Sequence, residues 1–134
     1  MDRKLNVLLV DDSLTVLEKL EEILAEIDDL AVVGLAKNGA AAIRMTNESM
    51  PDLVLLDIVM PGLDGLSALR TIRSLHPEIQ VAMVSSLGGD AAKAEEAFKL
   101  GACQVIAKPF DAESIESLVD RVRSDLETDA ARVA

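Results

Sequence analysis

The sequence predicts an α/β domain whose five parallel strands alternate with five helices, and three observations indicate this fold. Short, wholly apolar runs recur along the chain, as at residues 7–10 and 53–56, and such runs are typical of strands buried on both faces of a parallel sheet. Each run is followed by a segment whose apolar residues recur at helical spacing. The alternation contains no repeat, linker or low-complexity segment, so we expect a doubly wound sheet with the strand order 2-1-3-4-5 and right-handed crossovers.

Each predicted strand is a short apolar run bounded by polar or turn residues. The strands are expected at residues 7–10, 31–36, 53–56, 79–84 and 105–107. Each predicted helix carries an apolar stripe on one side and polar residues on the other. The helices are expected at about residues 14–26, 40–48, 66–75, 91–100 and 112–126.

Capping and turn residues indicate where the helices begin and end. Ser13, Asp90 and Asp111 are good N-caps for the first, fourth and fifth helices. Gly101 is predicted to end the fourth helix as its C-terminal glycine. Asn38-Gly39 is predicted to form a turn before the second helix.

Composition indicates one acidic domain covering residues 1–134, with its core at about residues 5–126 and a frayed tail at residues 129–134. Half of the residues are apolar but only two are aromatic, so the core must be built from Leu, Val, Ile, Ala and Met. A net charge of -11 without a basic cluster argues against binding of nucleic acid or of an anionic membrane. Cys103 is the sole cysteine and no apolar run reaches transmembrane length, which predicts a cytoplasmic protein without disulfides or membrane insertion.

Polar residues follow four of the apolar strands at the point where each strand ends. They are Asp11, Asp12, Asp57, Ser85 and Lys108. The carboxyl ends of parallel strands lie on one edge of the sheet, where ligands bind in open α/β folds. Carboxylates placed that close repel by several kcal/mol at an effective dielectric constant of about 20, and one lysine does not offset them. The charge balance therefore predicts a divalent cation, and carboxylate ligands favour Mg²⁺.

The same residues form a set suited to phosphoryl transfer. Asp57 follows four apolar residues, a position that packing alone does not explain. A carboxylate there can act as the nucleophile and form an aspartyl phosphate. Lys108 and the metal would neutralise charge on the phosphoryl oxygens, and the Ser85 hydroxyl would hydrogen-bond one of them.

Four motifs in order, LLVDDS, DLVLLDIVMPGLDG, MVSS and AKPF, resemble those of the receiver domains of bacterial two-component response regulators. The resemblance covers about residues 5–126. In SSLGG and DIVMPGLDGL it is strongest to chemotaxis receivers, both the single-domain regulators and the receiver of the chemotaxis methylesterase. It implies the flavodoxin-like receiver fold and a phosphorylation-dependent signalling switch.

The resemblance also implies partners. A histidine kinase or phosphotransfer protein would supply the phosphoryl group, and a downstream protein target would bind the altered surface. Nothing after the last helix resembles a DNA-binding or catalytic domain, so we expect output through protein binding. The chain would then catalyse only its own phosphorylation and dephosphorylation.

Roles for the aspartates follow from the same resemblance. Asp57 would be the phosphoacceptor, and Asp12 and Asp57 would bind Mg²⁺ directly. The backbone carbonyl of Val59 would be a further ligand, while Asp11 would act through water.

Two further expectations concern the last two strands. Ser85 and Lys108 stand where the family has its hydroxyl and its invariant lysine, and the Lys108-Pro109 peptide bond is expected to be cis. Val105 stands where many receivers carry Tyr or Phe, a ring that turns inward on phosphorylation. A branched aliphatic side chain has few rotamers, so we expect a smaller rearrangement on the surface formed by the fourth helix, fifth strand and fifth helix.

Three other functions are compatible with parts of the sequence. An aspartate-nucleophile phosphohydrolase would place a second Asp two residues after the first, where this chain has Val59. A flavin-binding electron carrier would need a loop rich in Ser, Thr and Gly after the first strand, where this chain has Asp-Asp-Ser. A receiver-like docking module would be expected to lack Asp57 or Lys108, and both are present. The residues favour the phosphorylatable switch.

Overall fold

The computed structural model describes residues 4–86 and 91–133, with side chains through residue 128. The strands are β1 (Leu5–Val10), β2 (Leu30–Ala36), β3 (Leu53–Leu56), β4 (Gln80–Ser85) and β5 (Gln104–Ala107). The helices are α1 (Leu14–Ala25), α2 (Gly39–Ser49), α3 (Gly65–Leu75), α4 (Ala91–Lys99) and α5 (Ala112–Val133).

The strands form one parallel sheet in the order β2-β1-β3-β4-β5, which confirms the predicted fold. Val10 and Leu56, the last residues of β1 and β3, are paired across the sheet. The aspartates that follow them therefore emerge side by side. Ser85 is paired with Ala107 at the end of β5, so Lys108 emerges beside Ser85.

Two apolar layers cover the faces of the sheet because successive residues of a strand point to opposite sides. Leu9 and Leu55 belong to the layer under α1 and α5, and Leu8 and Val54 to the layer under α2, α3 and α4. Burial of each such side chain stabilises the fold by about 1.5–3 kcal/mol relative to exposure. One prediction about the core was incomplete, because Phe110 is buried and packs in the first layer beside the aliphatic side chains.

Side chains of three residues cap the starts of α1, α2 and α3. Ser13, Asn38 and Asp64 have extended backbone, and each accepts a hydrogen bond from the N–H three residues further on. The predicted turn at Asn38-Gly39 is therefore wrong, since Asn38 is the N-cap and Gly39 is the first residue of α2. Asparagine favours both turns and N-caps, so the residue types alone do not separate the two.

The last two helices differ in part from the prediction. Gly101 has a φ of 107°, as expected of a C-terminal glycine after α4, but the predicted cap at Asp90 and the loop before it lie outside the described residues. Asp111 accepts a hydrogen bond from the Ser114 N–H at 2.9 Å in the first turn of α5. That helix continues to Val133, past the point where a frayed tail was expected. No helix within the described ranges is both long and apolar enough to span a membrane.

Candidate functional site

The carboxyl edge of the sheet brings together all five polar residues that follow the strands: Asp11, Asp12, Asp57, Ser85 and Lys108. Asp11, Asp57 and Ser85 are buried, at 1%, 4% and 0% exposure, whereas Asp12 is exposed. Buried carboxylates and hydroxyls are uncommon in a protein core. The edge of the sheet is therefore a polar site built into an otherwise apolar structure.

Asp11 is held firmly by two protein groups. Its Oδ2 atom accepts a hydrogen bond from the Lys108 ammonium at 2.8 Å, and its Oδ1 atom accepts one from the Ser13 N–H at 2.9 Å. Charge-assisted bonds of this length are among the stronger ones in proteins. Both carboxylate oxygens of Asp11 are therefore already engaged by the chain itself.

Asp57 is anchored through its backbone rather than its carboxylate. Its N–H donates to the Val10 carbonyl at 3.0 Å, which fixes the backbone against β1. Its Oδ1 atom accepts from the Val59 N–H at 3.3 Å, and its Oδ2 atom accepts from Lys108 at 3.4 Å. Both contacts are longer than the corresponding contacts of Asp11, so the Asp57 carboxylate is the more loosely held of the two.

Burial and charge shift the protonation of the site. Burial raises the pKa of Asp57 above its usual 3.8, and the Asp11 charge raises it further, against opposing effects of Lys108 and the Val59 N–H. Burial alone would lower the pKa of Lys108, but hydrogen bonds to Asp11 and Asp57 and their charges outweigh it and raise that pKa above 10.5. Lys108 is therefore a cation at neutral pH. The ionised form of Asp57 is disfavoured by burial and by the charge of Asp11.

The three aspartates fit a divalent cation. Asp11, Asp12 and Asp57 each offer one carboxylate oxygen, and these oxygens lie within 4.8 Å of one another. Mg²⁺ prefers a small number of carboxylate oxygens completed by carbonyl oxygen and water. A cation among them would offset the repulsion that raises the Asp57 pKa.

Ser85 places a buried hydroxyl at the end of β4. Its Oγ atom is fully buried and makes no hydrogen bond within the described part of the chain. Such a group costs about 1–3 kcal/mol when left unsatisfied. Thr46 on α2 has the same property, so burial alone does not identify a site. Ser85 is distinguished by its position, because its carbonyl accepts the Lys108 N–H at 2.9 Å.

The remaining predicted residues flank this centre. Val59 is 57% exposed beside Asp57, and Val105 is half-buried against the layer under α2, α3 and α4. The Lys108-Pro109 peptide bond is cis, as expected.

Sequence reasoning missed one contributor to the site. Ser13 was recognised as the cap of α1, and its side chain does accept the Val16 N–H at 3.4 Å. Its own N–H also orients Asp11. Aspartate commonly binds the N–H two residues further on, so the Asp-Asp-Ser sequence carried that signal.

The protein is thus a parallel α/β domain with a cluster of aspartates and a lysine at the carboxyl edge of its sheet. The chain belongs to the response regulator receiver domain family, whose model matches residues 7–120. It is therefore a domain of two-component signalling.

Curated relatives connect the chain with chemotaxis. A protein-glutamate methylesterase/protein-glutamine glutaminase of Trichodesmium erythraeum is 37% identical over 124 residues, which cover 92% of this chain and 35% of the relative. Protein-glutamate methylesterase/protein-glutamine glutaminase 5 of Myxococcus xanthus is 40% identical over 105 residues, which cover 78% of this chain and 30% of the relative. The chain thus spans about a third of the length of these relatives.

Solved structures agree with this assignment. The response regulator domain of Thermotoga maritima CheB superposes with a TM-score of 0.81 at 36% identity, covering 91% of this chain and 96% of that one. A chain of the CheX-CheY-BeF3-Mg+2 complex from Borrelia burgdorferi superposes on this chain with a TM-score of 0.83 at 30% identity, and 90% of each chain is covered.

Proposed function

We propose that this chain is a cytoplasmic signalling switch in which Asp57 accepts a phosphoryl group from the phosphohistidine of a histidine kinase or phosphotransfer protein, with Mg²⁺ as cofactor. One observation carries the proposal. Asp57 is 4% exposed and lies beside Lys108 and Asp11, yet its carboxylate is the loosely held one of the two buried carboxylates. A nucleophile must be oriented but not tightly held, and Asp57 fits this because its N–H is fixed by the Val10 carbonyl while its two carboxylate contacts are long, at 3.3 and 3.4 Å.

The contacts of the aspartates support a division of roles in metal binding. Asp11 has both oxygens engaged, by Ser13 and Lys108, which favours its acting through water. Asp12 is exposed and Asp57 is loosely held, so these two are the better direct ligands, with the Val59 carbonyl as a third. Mg²⁺ bound there would neutralise negative charge on a phosphoryl group.

The remaining residues act on the transferred group. An Asp57 oxygen attacks phosphorus, the bond from phosphorus to the imidazole nitrogen breaks, and the imidazole leaves with the electron pair of that bond. The Lys108 ammonium lies near Asp57 and can bind an equatorial phosphoryl oxygen. Ser85 can donate its hydroxyl to another phosphoryl oxygen, which would give a partner to a buried group that has none among the described residues. The chain is proposed to turn over no external substrate beyond this phosphoryl exchange.

Phosphorylation by a small-molecule donor tests the proposal. After incubation with acetyl phosphate and Mg²⁺, intact mass should show one added phosphoryl group in the parent protein and none in Asp57→Asn. Asp28→Asn, which changes an exposed aspartate in the loop between α1 and β2, is the control and should be modified like the parent. A phosphoryl group that persists in Asp57→Asn, on Ser85 or on His76, the single histidine of the sequence at the end of α3, would contradict the assignment.

We further propose that the output surface consists of α4, β5 and α5, with a rearrangement smaller than a ring flip. The Ser85 carbonyl accepts the Lys108 N–H, so movement of Ser85 toward a phosphoryl group would pull on the end of β5. Val105 on that strand is already half-buried against the core and has few alternative rotamers. Phosphorylation would shift an existing equilibrium only by the difference between the two states in their contacts to the phosphoryl group.

Amide chemical shifts recorded with and without beryllofluoride, a phosphoryl mimic, locate that response. We expect changes around Asp57, residues 85–90 and residues 105–109. Shifts confined to α1, with residues 85–109 unchanged, would show that this surface is not the switch.

A further inference from the structure

Gly65 lies directly against the backbone of the proposed phosphoacceptor. It is the first residue of α3 and is buried. A Cβ atom built on it would lie 2.7 Å from Ile58 Cα and 2.8 Å from the Asp57 carbonyl carbon, and would overlap the Asp57 carbonyl oxygen. The Gly65 N–H also donates to the Ile58 carbonyl at 2.8 Å. Helix α3 therefore begins in contact with the peptide that joins Asp57 to Ile58.

We infer that Gly65 is a positioning residue for phosphoryl transfer. Its missing side chain lets α3 begin against the Asp57–Ile58 peptide, and this contact sets the direction of the Asp57 carboxylate and of the Val59 carbonyl. The inference rests on the proposed function of Asp57. Gly65 would itself contact neither the phosphoryl group nor the metal. It would act by positioning the backbone of Asp57 and Val59, which do.

The surroundings leave little room for a side chain at Gly65. The three atoms nearest to such a Cβ are backbone atoms of Asp57 and Ile58, so the closest clashes cannot be relieved by movement of a flexible side chain. Asp57 is also tied on its other side, because its N–H donates to the Val10 carbonyl at 3.0 Å. A side chain at Gly65 must therefore rotate the Asp57–Ile58 peptide or displace the start of α3.

Either displacement would misdirect the site while most of the core stays intact. A shift of about 1 Å in a reacting group can lower a rate about a hundredfold. The Val59 carbonyl follows the same peptide in the chain, so metal binding should weaken together with phosphoryl transfer. A purely structural role for Gly65 would change stability alone.

Gly34→Ala is the matched control for Gly65→Ala. Gly34 lies in β2, and a Cβ there would meet Leu8 Cδ1 at 3.2 Å and the flexible end of Met45. The added methyl group would crowd the core under α2 but would not contact the loop between β3 and α3. Both variants and the parent would be assayed for melting temperature by circular dichroism, for Mg²⁺ affinity by calorimetry, and for the rate of phosphorylation by acetyl phosphate.

We expect Gly65→Ala to be phosphorylated at least about tenfold more slowly than the parent and to bind Mg²⁺ more weakly, while Gly34→Ala matches the parent in both. A folded Gly65→Ala protein with parental rate and affinity would overturn the inference. If Gly65→Ala does not fold, the same three measurements on Asp64→Ala test the inference. It removes the cap that accepts the Ser67 N–H at 2.8 Å and loosens the start of α3 without adding an atom. Parental rate and affinity in that variant would also overturn the inference.

Failure of the proposed function gives a different result. If the parent takes no phosphoryl group at Asp57, the proposed function fails, and the Mg²⁺ affinities of the two glycine variants still decide whether Gly65 positions this part of the chain.

Discussion

The interior of the sheet and its carboxyl edge are built from the same strands but serve opposite purposes. Leu53–Leu56 is apolar and wholly buried, and Asp57, the next residue, is buried almost as deeply. The leucines of that strand meet other apolar side chains on both faces of the sheet. The aspartate lies beside a second carboxylate, that of Asp11, and beside the Lys108 ammonium.

Stability and function therefore depend on different parts of the same strands. Burial of an apolar side chain in a close-packed layer is favourable without any partner of defined geometry. Burial of a carboxylate beside another is unfavourable unless a cation compensates it, which is why the pKa of Asp57 is raised. Perturbed groups of this kind cluster at functional sites, because a ligand can relieve the unfavourable arrangement.

The largest effect should come from the interior. Leu55→Ala removes a side chain that is 1% exposed, and we expect it to lower the free energy of unfolding by about 2–5 kcal/mol. Urea denaturation followed by circular dichroism measures this. Leu75→Ala, at a leucine of α3 that is 55% exposed, should change stability by no more than about 0.5 kcal/mol. Equal losses in the two variants would contradict the separation of interior and surface.

Metal binding should give the largest effect at the edge. A ligand that binds only the folded state stabilises it by about 2.7 kcal/mol at a hundredfold excess over its dissociation constant. Mg²⁺ should therefore raise the melting temperature of the parent protein, and Asp12→Ala should lose most of that increase. Asp28→Ala, far from the carboxylate cluster in the sequence, serves as the control. An unchanged melting temperature of the parent with Mg²⁺ would refute metal binding by this site.

The interior and the edge also differ in how far the sequence predicted them. The apolar run before Asp57 predicted both the strand and the position of the aspartate, because a parallel strand buried on both faces leaves a distinct pattern. The approach of Lys108 to Asp11 followed from the order of the strands. These features depend on periodicity and topology, which a single sequence carries.

Other features depend on contacts that the sequence does not encode locally. The contact between Gly65 and the Asp57 carbonyl becomes visible only when α3 is placed against the end of β3. Phe110 was not expected in the core, because whether a residue after a strand end turns inward is decided by the packing of α1 and α5. The end of α5 was placed too early because alanine and arginine near the C-terminus favour helix without any apolar stripe.

The smallest predicted effect compares the two buried aspartates at the edge. Asp57→Asn keeps the shape of the side chain and removes the charge that burial and Asp11 disfavour. It should raise the melting temperature of the metal-free protein by a few degrees at pH 7, since Lys108 keeps its shorter bond to Asp11 at 2.8 Å. Asp11→Asn should give no such gain, because it weakens that bond and the one from Ser13.

The pH dependence of that gain has a definite sign. The pKa of Asp57 in the folded protein lies above its usual value of 3.8, so between those two values the folded chain binds more protons than the unfolded chain. The free energy of unfolding of the parent therefore falls as pH rises through this window. Asp57→Asn has no carboxyl group at this position, so its free energy of unfolding does not fall for this reason. In EDTA, the advantage of Asp57→Asn over the parent should be full above the folded pKa and should shrink as pH is lowered toward 3.8. Melting curves of both proteins between pH 4 and pH 8 measure this difference in stability. A difference that grew as pH was lowered would show that the charge of Asp57 is not its cause.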